Sequence, residues 1–173
     1  MRENNLFRSL MNRVLQHVAR FGPGARSFRV YCHRLRGVKI QEPIWIGYDA
    51  VIETSFPQLV SIGRNTELMA GVMIIAHMEG SEGVVIGDNV YIGPRSIILP
   101  NVRIGDGSVV TAGSVVNRLV PPGTMVQGNP AKPIAKCGIP LVGNVRLSEF
   151  QKNLRPIRRV RPRQPDVSGH EGK

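Results

Sequence analysis

The chain has 173 residues, 42% of them apolar and only 5% aromatic, with 19 glycines and 13 prolines; one domain with tails fits that length, and the apolar content excludes a fully disordered chain. The net charge of +11 sits at the ends, +8 in residues 1–39 and +5 in 144–173 against −2 in 40–143. Basicity therefore belongs to the flanks, and no aromatic platform interleaves with it, which argues against nucleic-acid binding.

Residues 4–21, NNLFRSLMNRVLQHVARF, open the chain. Leu6, Leu10, Val14, Val18 and Phe21 recur at helical spacing, flanked by Phe7, Met11 and Leu15, with Asn4 or Asn5 as cap and Arg8, Arg13 and Arg20 on the polar side. The spacing predicts an amphipathic helix, packed on the body of the protein or a neighbouring chain, or lying on the inner surface of a membrane. GPG at 22–24 ends it. No apolar run approaches 18 residues, so no membrane span is expected, and the spaced apolar residues at the N-terminus do not form a signal peptide. Cys32 and Cys137 have no CxxC or metal-type spacing, so a disulfide framework is not expected and a reducing cytoplasm is. Neither has a visible partner base, and both read as structural.

From Ile46 onward the chain repeats. Ile86, Ile92, Ile98, Ile104, Val110 and Val116 step by six, and the frame returns upstream at Ile46, Ile52, Ile62, Leu68 and Ile74. Four residues on, the same frame reads Ala50, Thr66, Val72, Val90, Ser96, Val102, Ser108 and Ser114. The step from Ile52 to Ile62 is ten, near Phe56-Pro57; that from Ile74 to Ile86 is 12, one whole repeat inserted after His77; and that from Val116 to Val126 is again ten, around Pro121-Pro122-Gly123. A six-residue period excludes a helix, and on a strand i, i+4 and i+6 share one face. Each hexapeptide becomes one short strand and one corner, and three make a coil of a triangular parallel β-helix. Residues 44–134 then give about five coils stacked roughly 4.8 Å apart.

His77 falls at i+3, outside the inward positions, so core filler explains it poorly and a general base explains it better. Glu79 is a candidate to orient the imidazole; Glu53 and Glu67 are other outward carboxylates that could reach a neighbouring histidine, and Glu53 is also a candidate substrate contact. Trp45 and Tyr48, which open the first coil, read as packing residues. The loop from Met78 to Gly83 is short, leaving an open cleft suited to a bulky acceptor. Beyond the coils, EFQKN starts as a helical turn and the proline- and arginine-rich end reads as disordered from about Pro162.

The repeat itself, the stretch VYIGPRSIILPNVRIGDGSVVTAGSVV and the closing PPGTMVQGNPAKPI resemble the hexapeptide-repeat acyltransferases, in particular the galactoside and maltose O-acetyltransferase branch and the O-acetyltransferases of polysaccharide assembly; LRGVKI resembles the polysaccharide-linked members. The likeness covers residues 38–136, between a lead-in at 1–37 and an extension at 137–173. It implies an all-β, left-handed parallel β-helix, a homotrimer with active sites between neighbouring prisms, acetyl-CoA as donor and no metal. It implies His77 as the catalytic histidine, Tyr91 near the thioester, Ala112 and Asn117 along the pantetheine groove and Lys132 near the CoA phosphates. Where relatives have a free amide, this chain has Pro94, which lacks an N–H; Gly93 N–H is the expected substitute. The reading is a cytoplasmic O-acetyltransferase acting on a saccharide, a cell-surface polysaccharide precursor, with peripheral contact to the inner membrane surface as a further expectation. An N-acetyltransferase on a nucleotide-linked amino sugar and a non-catalytic scaffold are the alternatives. A γ-type carbonic anhydrase needs three zinc histidines, and His17, His33 and His170 lie outside the coils.

Overall fold

A computed structural model describes residues 6–157. The expected cap at Asn4 or Asn5 and the expected disorder from Pro162 lie outside the described residues. Two helices, α1 (Leu6–Phe21) and α2 (Phe28–Arg36), precede the repeats; α2 ends on Gly37, whose φ of 106° closes the helix in the left-handed conformation. The coils then run β1 (Lys39–Ile40), β2 (Ile44–Ile46), β3 (Val51–Ile52), a 3-10 turn (Pro57–Leu59), β4 (Val60–Ile62), β5 (Thr66–Leu68), β6 (Met73–Ile74), β7 (Val84–Ile86), β8 (Tyr91–Ile92), β9 (Ile97–Ile98), β10 (Arg103–Ile104), β11 (Val109–Val110), β12 (Val115–Val116) and β13 (Thr124–Gln127).

Three parallel sheets form the sides of the prism: β1-β4-β7-β10, β2-β5-β8-β11-β13 and β3-β6-β9-β12. That makes four full coils, with β13 beginning a fifth, against the expected five or so. The register follows the repeat. Ile40, Ile62, Ile86 and Ile104 stack on the first side; Ile46, Leu68, Ile92, Val110 and Val126 on the second; Ile52, Ile74, Ile98 and Val116 on the third. All are buried, as are the small residues at i+4. The inward hydroxyls are satisfied by the next coil: Thr66 Oγ1 donates to Gly87 O at 2.8 Å, Ser96 Oγ to Thr111 O at 3.0 Å and Ser108 Oγ to Pro121 O at 2.9 Å. A buried hydroxyl without such a partner would be costly.

Corners explain the rest of the repeat. At i+3 the chain passes through positive φ: Asp49, Asn65, Asn89, Arg95 and Asn101 lie between 51° and 63°, and Gly71, Gly107 and Gly113 share the conformation. Asn, Asp and Gly tolerate this region, where most side chains do not. At i+1, Gly93 is required by close stacking: a Cβ there would stand 2.5 Å from Ala112 N. One spacing is read differently in three dimensions. The ten residues from Val116 to Val126 are a shortened step of four to Val120, which bridges Ile104 in parallel, followed by an ordinary six. Val120 is therefore an inward residue that the repeat frame omits.

The chain closes by reversing direction. β14 (Lys132–Cys137) pairs antiparallel with β13, and β15 (Leu154–Pro156), reached through the short helix α3 (Leu147–Lys152), pairs antiparallel with β14. α3 occupies the stretch expected to start as a helical turn. No helix among the described residues is long and apolar enough to cross a membrane.

α1 departs from the expectation for an amphipathic helix on a protein body. Its buried residues are Asn12, Gln16 and Ala19, while Leu10, Val14, Val18 and Phe21 face outward. The reason lies in what it covers. Gln16 Nε2 donates to Ala50 O at 3.0 Å, Asn12 Nδ2 to Thr54 O at 3.3 Å, and Ile52 N donates to Gln16 Oε1. These backbone groups lie before, within and after β3, and polar side chains of α1 satisfy them where an apolar face could not.

Candidate active site

His77 and Glu53 meet at the corner between the third and first sides. Ile52 and Ile74 are registered, and each is followed by an insertion that replaces a tight corner. His77 holds the i+3 position of its repeat but is not among the positive-φ residues; the loop 78–83 turns the chain instead. That loop is pinned: Ser81 Oγ donates to Ala76 O at 2.6 Å, and Asn101 Oδ1 accepts from Glu82 N at 2.8 Å.

Glu53 is 1% exposed and has a φ of 20°. Its Oε1 accepts from Ser55 N at 2.8 Å and Phe56 N at 3.1 Å; its Oε2 accepts from Ala76 N at 2.7 Å and His77 N at 3.1 Å. His77 Nδ1 lies 2.8 Å and 2.9 Å from the two oxygens. Burial pushes the carboxyl up, but the hydrogen bonds from His77, Ala76, Ser55 and Phe56 together outweigh it and hold Glu53 below the usual carboxylate range. An ionised acceptor requires Nδ1 to carry the proton, which leaves Nε2 as the free lone pair. The imidazole is 48% exposed and sits against Phe56, with ring centroids 5.9 Å apart.

This corrects two expectations. Glu79 is exposed, and the carboxylate on the imidazole is Glu53. Glu53 in turn points inward, so direct substrate contact is not open to it. Glu67 is not aimed at a histidine either; its Oε1 accepts from Gly143 N at 3.0 Å. The sequence did carry a signal: in the i+1 column Glu53 is the charged residue, among Gly47, Gly63, Met69, Ile75, Gly87, Gly93, Leu99, Gly105, Thr111 and Asn117.

Behind Glu53 lies a buried polar cluster. Arg36 Nε donates to Asn12 Oδ1 at 2.9 Å, Nη1 to Gln16 Oε1 and to His33 Nδ1 at 2.9 Å, and Nη2 to the Glu53 carbonyl at 2.5 Å. Burial lowers the Arg36 pKa to about 10, with Glu53 and Cys32 countering. Burial, then the Arg36 charge, lowers His33 to about 3, so it is neutral at physiological pH. Sequence reading missed this cluster because residues 12, 16, 33, 36 and 53 share no local pattern.

The remaining candidates separate. Tyr91, Gly93 and Ala112 line the corner between the second and third sides, with Pro94 registered beneath Ala112. Burial, then Glu67, raises the Tyr91 pKa. Gly93 N–H is engaged by Val110 O at 2.8 Å, so it is not the substitute amide. Ala112 N–H has no hydrogen-bond partner among the described residues, and Ala112 is exposed. Asn117 is exposed on the His77 corner, in one column with Ile75 and Leu99, and Lys132 is exposed at the start of β14. Trp45 and Tyr48, expected as packing residues, are exposed and lie under Arg26 and Arg29, whose guanidinium carbons stand 5.4 Å and 4.1 Å from the ring centroids. Burial raises the thiols of Cys32 and Cys137, with Arg36 and Lys136 opposing, so neither is an activated nucleophile. Among the described residues, no group of three or more His, Cys, Asp or Glu could hold a metal ion.

The family model described as bacterial transferase hexapeptide (six repeats) matches residues 83–118. YvoF of Bacillus subtilis (strain 168), provisionally named an acetyltransferase, is 37% identical over 128 residues, 70% of this chain and 73% of that protein. The chain belongs to the hexapeptide-repeat acetyltransferases. A 2,3,4,5-tetrahydropyridine-2,6-dicarboxylate N-acetyltransferase of Staphylococcus aureus (strain bovine RF122 / ET3-1) is 42% identical over 74 residues, 42% of this acetyltransferase but 31% of that protein. A galactoside acetyltransferase solved with coenzyme A shares the fold at a TM-score of 0.57 and 22% identity, covering 75% of this chain and 80% of that one. The fold of this hexapeptide-repeat acetyltransferase is thus the left-handed parallel β-helix.

Proposed function

We propose that this acetyltransferase moves an acetyl group from acetyl-CoA to a hydroxyl of a saccharide in the cytoplasm, with His77 as general base. The observation that carries the reading is the buried, ionised Glu53 on His77 Nδ1, which leaves Nε2 exposed to receive a proton. Nε2 takes the proton of the acceptor hydroxyl as its oxygen attacks the thioester carbonyl. The tetrahedral intermediate then collapses, the C–S bond breaks, and the imidazolium returns the proton to the departing CoA sulfur. Ala112 N–H, above Pro94, is the donor we assign to the developing oxyanion. Tyr91 and Ala112 stand at one corner and His77 and Asn117 at another, which favours a homotrimer in which one protomer's histidine faces its neighbour's donor corner. Lys132 would meet the CoA phosphates. The short 78–83 loop favours a bulky acceptor such as a polysaccharide precursor.

An amine acceptor on an amino sugar is the second reading, favoured by the N-acetyltransferase relative. CoA release measured on a panel of glycans and amino sugars separates the two. His77→Ala should lower kcat by about 10² to 10⁴, and Glu53→Gln should lower kcat more than it raises KM, both with an unchanged circular dichroism spectrum. Turnover by His77→Ala at the wild-type rate would end the proposal.

A further inference from the structure

Among the described residues, the outward face of α1 has no counterpart on its own prism. Leu10 is 62% exposed and Val14 53%, with Val18 and Phe21 continuing the stripe and Phe28 of α2 beside its end. Burial of apolar side chains is the ordinary reason for a helix to be amphipathic. Here Asn12 and Gln16 hold the helix to the prism, and the apolar stripe is directed away from it. A contiguous apolar face of this kind marks an interaction surface.

Charge identifies the occupant. From Asn4 to Val38 there is no acidic residue, and residues 1–39 carry +8. Arg20 and Arg34 are engaged by Asp49 and Glu42, but Arg8 and Arg13 are exposed beside the stripe. An apolar face bordered by arginines and free of acids complements an anionic bilayer, whose headgroups meet the guanidinium groups while the acyl region takes the apolar side chains. A second copy meeting this face through its own α1 would bring the same uncompensated positive charge to it.

We infer that α1 is a membrane-docking helix that seats this protein on anionic lipid through Leu10, Val14, Val18 and Phe21, rimmed by Arg8 and Arg13. The helix is rigidly tied to the turn carrying Glu53, so docking holds the His77 corner in a defined orientation to the bilayer. This inference stands whatever the acceptor is.

The test uses the full-length protein and sedimentation with vesicles of phosphatidylcholine, with and without phosphatidylglycerol. Wild type should pellet with the phosphatidylglycerol vesicles, weaken in high salt and stay in solution with phosphatidylcholine alone. Leu10→Asp with Val14→Asp, and separately Arg8→Glu with Arg13→Glu, should each weaken vesicle binding at least about tenfold. All four positions are exposed, so folding and the mass in analytical ultracentrifugation should not change. Three results would overturn the inference: no wild-type binding to phosphatidylglycerol vesicles, binding untouched by either double variant, or a fall in assembled mass in Leu10→Asp/Val14→Asp, which would make the stripe a contact between protomers.

Discussion

At Glu53 two opposed effects act on one carboxyl group, and their balance decides what His77 can do. Desolvation favours the acid, while the imidazole and the backbone N–H groups of Ala76, Ser55 and Phe56 favour the carboxylate. Because the second set prevails, the histidine is oriented by a buried, fixed charge rather than by an exposed loop carboxylate such as Glu79. Pro94 and Ala112 present the other residue-scale case. They occupy the same position in successive coils, one without an N–H and one with an unengaged N–H. Ala112→Pro should therefore fold, since the coil below already accommodates proline there. If that amide holds the oxyanion, kcat should fall about 10² to 10³ with little change in KM. An unchanged kcat in steady-state CoA release would remove Ala112 from the mechanism. The histidine was legible as an outward residue from its place in the six-residue frame. Its partner was legible only in part: Glu53 stood among the carboxylates able to reach a histidine, but that it folds inward at an irregular corner escapes a frame built on straight strands.

The element that most controls the site is the helical lead-in. α1 and α2 contribute Asn12, Gln16, His33 and Arg36 to the cluster that grips the Glu53 carbonyl. His33 makes this element sensitive to acid. Its folded pKa of about 3 lies below the ordinary 6.5, so below pH 6.5 the unfolded chain binds a proton that the folded chain refuses. The stabilisation is full above pH 6.5 and is lost as pH falls toward 3, at about 1.4 kcal/mol per pH unit. Urea titrations between pH 6.5 and 5 should show that slope, and His33→Gln, which can still accept from Arg36, should flatten it. A variant as steep as wild type would place the titration elsewhere. The helix was readable as amphipathic from Leu6, Leu10, Val14 and Val18. Which face it docks was not, since that depends on the carbonyls of Ala50 and Thr54 it meets.

Across the whole molecule the prism behaves as stacked, nearly identical layers, each lending its inward aliphatic residue to a column. Ile98 sits in the third column between Ile74 and Val116, fully buried. Ile98→Ala should cost about 3 kcal/mol in denaturant unfolding, because coils held in register on three sides cannot collapse onto the space left. A loss below about 1 kcal/mol would mean that the coils repack more freely than this geometry allows. By itself the sequence determined the three-sided coil, the inward columns and the outward histidine, because a period of six with small or aliphatic residues at i and i+4 is compatible with one backbone path. Only the tertiary structure decided that Glu53 orients His77, that Val120 fills the shortened coil, that Gly93 N–H is engaged and that α1 turns its apolar stripe outward. Each of these depends on which atoms distant segments bring within hydrogen-bonding reach, and a periodic pattern contains no record of that.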